Sequence, residues 1–283
     1  MILGLPVVDG HEVTKKFLEH LIPSVADPDN FQLIIIDNAS IDPYRFQKLP
    51  PAPFPIKIVR NLRNKGYYYP LKQIYKNYRS DNLMGLIHND VLIYEKGWDL
   101  RLRQAFADDP KLGLVGFAGS NEIDAGGGRG GGTMLRFRGT VGEGQSAGKF
   151  IDDLRPSVVF DSLFMMFRTE IVPDLLIDED ITLAHFYDRI WSCRVMERGW
   201  RSATLGIEID HMGGMTIMAN TRYRDDCIRW LKDRDILYVD PETEMYLEGQ
   251  RRFLSEYRDQ KKMVPCIIEE GKGYEITFTA QIS

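Results

Sequence analysis

The chain has 283 residues, of which 43% are hydrophobic and 27% charged; that suffices for one large α/β domain or two small ones and excludes a disordered polyelectrolyte. Its 36 basic and 41 acidic residues leave a net charge of −5. That argues against a surface built to coat nucleic acid, because such binding is driven by phosphate neutralisation.

The first 120 residues alternate apolar runs with helical patterns. Ile2–Val8 reads as a strand ending at Asp9-Gly10, and Val13, Phe17, Leu18 and Leu21 then recur at helical spacing. Leu33–Ile36 is a pure branched-aliphatic run, as in a strand buried on both faces, and it stops at Asp37-Asn38. Ile56–Val59 follows a proline-rich loop, and Leu71, Ile74, Tyr75 and Tyr78 make a helical stripe. Leu83–Ile87 is another apolar strand, ending at His88-Asn89-Asp90; a helix over 96–107 leads to Leu112–Phe117. This order predicts a mainly parallel sheet with covering helices.

Residues 119–150 are glycine-rich, with six glycines between Gly126 and Gly132, and read as an irregular, mobile loop. Val158–Phe160 and Leu163–Arg168 are strand material interrupted at Asp161-Ser162. A helix is expected over 184–198, a strand over 203–209 running into Asp210-His211, and helices over 215–235 and 242–262. Pro265–Ile268 and Tyr274–Ile282 suit a hairpin. The three cysteines, Cys193, Cys227 and Cys266, form no CxxC pair, so a reducing, cytoplasmic setting is expected and a disulfide or zinc framework is not. No secretory leader is expected, and no run approaches the ~18 apolar residues of a membrane span.

Open parallel sheets bind ligands at the carboxyl ends of their strands. Three strand ends here carry polar groups toward one edge: Pro6 to Asp9, Asp37-Asn38-Ala39-Ser40 and His88-Asn89-Asp90. Each alone is also an ordinary turn. Gly126–Gly131 formally fits GxGxxG, but a strand rather than a helix follows, so it is no dinucleotide fingerprint. Gly142–Lys149 fails the P-loop spacing. Tyr67, Tyr68 and Tyr69 read as helix-entry packing, with a base-stacking role open, and the basic residues of 57–65 and 222–234 read as solvated faces.

Five stretches in order resemble the nucleotide-sugar glycosyltransferases of the GT-A fold, in particular the inverting family 2, over roughly residues 1–230. They are Leu3-Gly4-Leu5-Pro6-Val7-Val8, Leu33–Ser40 (apolar strand, then D-[DN]-x-S), Asn61-Leu62-Arg63-Asn64-Lys65-Gly66, Leu86-Ile87-His88-Asn89-Asp90-Val91, and Phe186-Tyr187-Asp188-Arg189 with its helix to Gly199-Trp200. The resemblance implies a Rossmann-like, mostly parallel sheet in a GT-A domain over 1–235, with a nucleotide half (1–118), a sugar and acceptor half (119–235) and a C-terminal helical extension (236–283). It implies that Pro6, Val8, Asp37, Asn38, Asn64, Gly66 and Asn89 contact the nucleotide, Asp37 through base or ribose. Arg63 or Lys65 would neutralise phosphate charge.

The fourth stretch stands where the family carries its DxD metal motif. Here only Asp90 keeps a carboxylate, and His211 is implied as a further ligand for Mn²⁺ or Mg²⁺. Asp188 is implied as the general base, on a first helical turn whose dipole favours its ionised form. Asp161 and Tyr187 are implied to meet the substrate. The expected activity is therefore metal-dependent, inverting transfer from a nucleoside-diphosphate sugar, UDP favoured, to an acceptor hydroxyl on a saccharide, protein, lipid-linked glycan or modified nucleic acid. A nucleotidyltransferase and a non-catalytic nucleotide-sugar-binding protein remain as alternatives.

Overall fold

The computed structural model describes residues 1–78, 81–124, 126–128, 134–137, 148–176, 182–213, 221–259, 267–268 and 276–277. Much of the glycine-rich stretch (125, 129–133 and 138–147) lies outside these. So do 215–220 and 260–262 of the two expected late helices, Cys266, and all but four residues of the expected hairpin.

In chain order the elements are β1 (Ile2–Val7), α1 (His11–Ser24), β2 (Gln32–Asn38), β3 (Ile56–Asn61), α2 (Tyr68–Tyr78), β4 (Leu83–Ile87), β5 (Val91–Ile93), α3 (Trp98–Asp108) and β6 (Leu112–Gly116). Then come β7 (Ala118–Ser120), β8 (Met134–Arg136), β9 (Lys149–Phe150), β10 (Leu154–Pro156), β11 (Val159–Phe160), β12 (Phe164–Arg168), α4 (Val172–Leu175) and α5 (Tyr187–Glu197). The chain continues through β13 (Arg201–Leu205), β14 (Ile209–His211), α6 (Thr221–Lys232), α7 (Pro241–Leu254), β15 (Ile267–Ile268) and β16 (Ile276–Thr277).

Eight strands form one sheet in the order β10-β13-β6-β12-β4-β1-β2-β3. β3, β2, β1 and β4 run parallel, as do β6 and β13, while β12 is inserted antiparallel between β4 and β6. The branched-aliphatic run dictates this placement, because alternate residues point to opposite faces. Leu33 and Ile35 pack with Phe17, Leu18 and Leu21 of α1 and Trp98 and Leu102 of α3. Ile34 and Ile36 pack with Leu71 and Ile74 of α2 and Ile190 and Trp191 of α5. The sheet is thus sandwiched, and the loops that follow β1, β2, β3 and β4 lie at the carboxyl edge of the parallel strands.

Three local expectations change. The 119–150 stretch is not wholly irregular: β7 and β8 pair antiparallel, β8 and β9 parallel, and β11 joins them in a second sheet. The single strand expected over 203–209 is two. At Gly206 the chain runs against the Ile151 backbone with no room for a Cβ, and Gly206 N–H donates to the Asp153 backbone carbonyl. β13 therefore stays in the main sheet while β14 leaves it to pair antiparallel with β5. Third, α5 begins at Tyr187, not 184, because Phe186 takes a left-handed conformation (φ 64°) as its N-cap. Cys193 and Cys227 are buried free thiols. No described helix is long and apolar enough to cross a membrane.

Candidate functional site

A pocket of about 440 Å³, its open mouth included, lies at the carboxyl ends of β1 and β2. Pro6, Val7 and Val8 form one wall, Asn38, Asn64 and Gly66 another, and Tyr67, Leu183, Ala184 and Tyr223 close it. Five of the seven expected nucleotide contacts (Pro6, Val8, Asn38, Asn64 and Gly66) therefore meet around one cavity. Register brings them together: β1 and β2 are in step from Ile2 and Gln32 to Val7 and Asp37, and β2 and β3 to Asn38 and Asn61. Gly66 is left-handed (φ 66°), and a Cβ there would press into the Leu183 backbone, whose carbonyl accepts from Tyr67 N–H at 3.0 Å. Asn64 fixes the turn: its Oδ1 accepts from Gly66 N–H at 2.9 Å, and its Nδ2 donates to buried Asp226 on α6 at 2.9 Å. Asn38 Nδ2 donates to the Gly66 carbonyl at 3.1 Å.

The other two stand behind the wall. Asp37 has no exposed surface; it accepts from Ser40 N–H at 2.7 Å, Tyr44 N–H at 3.2 Å and the Arg60 guanidinium at 2.7 Å. Ser40 Oγ in turn accepts from Asp9 N–H at 2.8 Å. Asp37 thus shapes the loop that follows β2. Asn89 is buried and donates to Thr14 Oγ1 of α1 at 3.0 Å. Arg63 and Lys65 line a neighbouring polar cleft with Asp226, Arg229 and Trp230, and Lys65 Nζ sits 5.1 Å from the centre of the Tyr69 ring.

Tyr67 links the pocket to a second cluster. Its ring lies 4.8 Å from that of His88 and stacks on Tyr187 at 5.7 Å, nearly parallel (7°). His88 and Asp90 flank Asn89 in the turn between β4 and β5. The β14–β5 pairing, with His211 opposite Val91 and Met212 N–H donating to the Asp90 carbonyl, brings His211 to them. Asp90 Oδ1 lies 3.5 Å from His211 Nε2 and 3.9 Å from His88 Nδ1.

Each of the three offers one ligand atom, all within 4.8 Å of one another. Asp90 Oδ1 is buried without a hydrogen-bond partner, a costly state that a cation would relieve. Burial acts to raise the Asp90 pKa, but His211 and then His88 outweigh it and hold the carboxyl below its usual range. Burial lowers the His88 pKa against the pull of Asp90, which keeps the imidazole neutral and able to ligate. Two imidazoles and one carboxylate fit a divalent transition metal such as Mn²⁺ better than Mg²⁺, which prefers all-oxygen shells.

On the far side of His88 stands the start of α5. Tyr187 OH is 3.5 Å from His88 Nε2. Asp188 is 5% exposed, and its Oδ1 accepts from Arg189 N–H at 2.9 Å and from the Arg189 guanidinium at 3.2 Å. Oδ2 accepts no hydrogen bond among the described residues. Asp161 and Asp188, like Asp90, act to raise the His88 pKa against its burial. Asp161 Oδ1 accepts from Leu163 N–H at 3.1 Å at the turn before β12. Phe186, Asp9 (φ 52°) and Ala39 (φ 67°) are all left-handed non-glycines at this edge. Such a conformation costs roughly 1–2 kcal/mol per residue, and strain of this kind gathers at functional sites.

Besides Val7, which lies between two expected contacts, and Tyr67, whose base-stacking role the sequence left open, four contributors were not singled out as site residues in the sequence. His88 was placed at the motif but not as a ligand, although its spacing of two from Asp90 carries that signal. Leu183, Ala184 and Tyr223 reach the pocket only through tertiary packing and leave no local pattern. Together the groups form a largely apolar slot with a polar rim, three side chains that could hold a cation, and a nearby carboxylate.

No family profile and no curated protein matches the sequence. Similar solved structures do exist. The mannosyltransferase PcManGT from Pyrobaculum calidifontis, in complex with GDP-Man and Mn²⁺, aligns with a TM-score of 0.53 at 11% identity over 89% of this chain and 69% of that one. A 1–349 fragment of S. aureus TarS gives 0.51 at 13% identity over 91% and 72%. GalNAc-T7 with UDP, GalNAc and Mn²⁺ gives 0.54 at 10% identity over 74% and 42%. The fold is the GT-A fold of these glycosyltransferases.

Proposed function

We propose that the protein is a metal-dependent, inverting glycosyltransferase that moves a sugar from a nucleoside-diphosphate donor, UDP favoured, to an acceptor hydroxyl. The observation that carries this reading is the grouping at one edge: Tyr67 lines the pocket and touches both His88 of the His88-Asp90-His211 set and Tyr187, the neighbour of Asp188. A nucleotide-sugar needs these same three kinds of group: a slot for the base, a cation for the diphosphate and a carboxylate near the sugar. Its base enters the slot between Pro6–Val8 and Leu183–Ala184, beside Tyr67. Its diphosphate reaches the ligand triad, and its sugar lies toward Asp161, Tyr187 and Asp188.

His88, Asp90 and His211 would hold the cation, Mn²⁺ in preference to Mg²⁺. Such an ion supplies charge neutralisation for the departing diphosphate. Asp188 takes the proton from the acceptor hydroxyl as that oxygen bonds to the anomeric carbon. The carbon–oxygen bond to phosphate breaks, and its electron pair leaves with the nucleoside diphosphate. Single displacement inverts the anomeric centre. Arg189, bonded to Asp188 Oδ1, orients the carboxylate so that Oδ2 faces the acceptor.

The His-Asn-Asp sequence at 88–90 raised the alternative of a binding protein with an eroded site. His88 beside Asp90 and His211 supports a change of ligand type rather than a loss. Asp188→Asn tests the base assignment: it should leave UDP binding within twofold and lower turnover at least a hundredfold. Normal transfer by that variant would refute the assignment.

A further inference from the structure

The reading above gives no role to the C-terminal helix or to the glycine run. Both converge on Phe186. That residue is wholly buried, bulky and left-handed, and it immediately precedes Tyr187 and Asp188. Within its own segment the Thr182 hydroxyl donates to the His185 carbonyl at 2.5 Å and accepts from His185 N–H at 2.9 Å, and Phe186 itself makes no capping hydrogen bond. Packing from other elements then encloses it.

Gly249 of α7 lies flat against it. A Cβ at 249 would stand 2.9 Å from Phe186 Cδ2 and 3.3 Å from both Phe186 Cβ and the His185 carbonyl. Tyr246, one turn earlier, meets the Phe186 ring at 5.2 Å, and Phe253, one turn later, at 6.0 Å. From the other side comes Gly127, itself left-handed (φ 77°). A Cβ there would lie 2.6 Å from Phe253 Cδ1 and 3.3 Å from Phe186 Cε1. Asp124 Oδ1 holds that turn through Gly126 N–H and Gly128 N–H, and Gln250 Nε2 ties it to α7 through the Gly126 carbonyl at 3.1 Å. Arg189 covers the remaining face, its guanidinium 4.3 Å from the ring centre. The buried Arg194–Glu256 ion pair locks the turn after α7 onto α5.

We propose that α7 and the Gly126–Gly128 turn form a clamp that holds Phe186 left-handed and thereby sets Tyr187 against His88 and Asp188 into the acceptor space, with Gly249 as its positioning residue. The functional half rests on the role given to Asp188; the structural half does not. Gly249 suits this contact because the Phe186 side chain and the His185 carbonyl lie directly on the helix, and a Cβ at 249 would push the Phe186 ring away.

The test is a double-mutant cycle with Gly249→Ala, Phe186→Gly and both together in the full chain, alongside Asp188→Asn. A glycine at 186 adopts the left-handed conformation without a clamp. Gly249→Ala alone should lower kcat tenfold or more, with UDP·Mn²⁺ affinity within twofold of the native protein; in the Phe186→Gly background it should cost less than twofold. Equal losses in both backgrounds would overturn the clamp. A crystal structure of Gly249→Ala decides the structural half without turnover: Phe186 should leave positive φ and Tyr187 OH should move off His88. If Phe186 stays left-handed with Tyr187 in place, the inference fails. Full activity in Asp188→Asn with a displaced Phe186 in Gly249→Ala would refute the base assignment and keep the clamp.

Discussion

Replacing Gly66 by alanine probes the pocket through a single methyl group. Gly66 sits at φ 66°, where an L-residue is strained by roughly 1–2 kcal/mol. The new Cβ would also stand 2.6 Å from Leu183 Cα and 2.8 Å from its carbonyl carbon. Backbone cannot rotate aside as a flexible side chain can, so the 183–184 segment must shift. That shift weakens the Tyr67 N–H to Leu183 carbonyl bond, worth about 1 kcal/mol, and moves Leu183 and Ala184 in the pocket wall. The combined cost is about 2–3 kcal/mol, shared between stability and ligand affinity. With the strain falling on stability and about 1 kcal/mol on the pocket wall, isothermal titration with UDP and Mn²⁺ should show a loss of roughly fivefold, with a lowered melting temperature. Gly199→Ala is the control: its φ is 77° and nothing lies within 4 Å of the added Cβ. It should destabilise by the strain alone and leave UDP affinity intact. Native UDP affinity in Gly66→Ala would refute the placement of the base beside Gly66.

His88→Ala should weaken Mn²⁺ binding, read by titration against the spin signal of the free ion, by more than the 10- to 100-fold typical of losing an outer-shell partner; Mg²⁺ should compete poorly with Mn²⁺ in the native protein. Burial holds His185 down to about 4, against 6.5, with Asp188 opposing. The unfolded state therefore binds the extra proton first, so stability is full above 6.5 and falls as pH drops toward 4, by at most about 3 kcal/mol. Melting curves across that window should show the loss, and His185→Gln should flatten it. Asp226→Ala removes the acceptor that fixes Asn64 and should lower UDP affinity several-fold while Mn²⁺ affinity holds, as ligand-resolved titrations would show.

The half of the fold with strong periodicity was legible. Leu33–Ile36 reads as a doubly buried strand because no polar residue interrupts it, and the polar stops at Asp37 and Asp90 mark the strand ends that carry the site. The sequence did not reveal β12 running antiparallel between β4 and β6, since apolar runs carry no direction. The 203–209 break was also hidden, because it depends on Gly206 meeting the Ile151 backbone, a contact distant in sequence. Asp37 illustrates the limit for single residues: its place at the end of β2 follows from the motif, but its burial behind the pocket wall and its bond to Arg60 follow only from the β2–β3 register. His88 looked like a missing carboxylate until β14 brought His211 beside Asp90.

The central claim is that this edge binds a nucleotide-sugar through a metal and releases the nucleotide. The direct measurement is nucleoside-diphosphate release from a panel of UDP- and GDP-sugars, with Mn²⁺ and with a chelator, for the native protein and Asp90→Asn. Release from at least one donor, dependent on Mn²⁺ and lost in Asp90→Asn, is the result expected. Pyrophosphate released from a nucleoside triphosphate, or nucleoside-diphosphate release that persists in Asp90→Asn with chelator present, would contradict it.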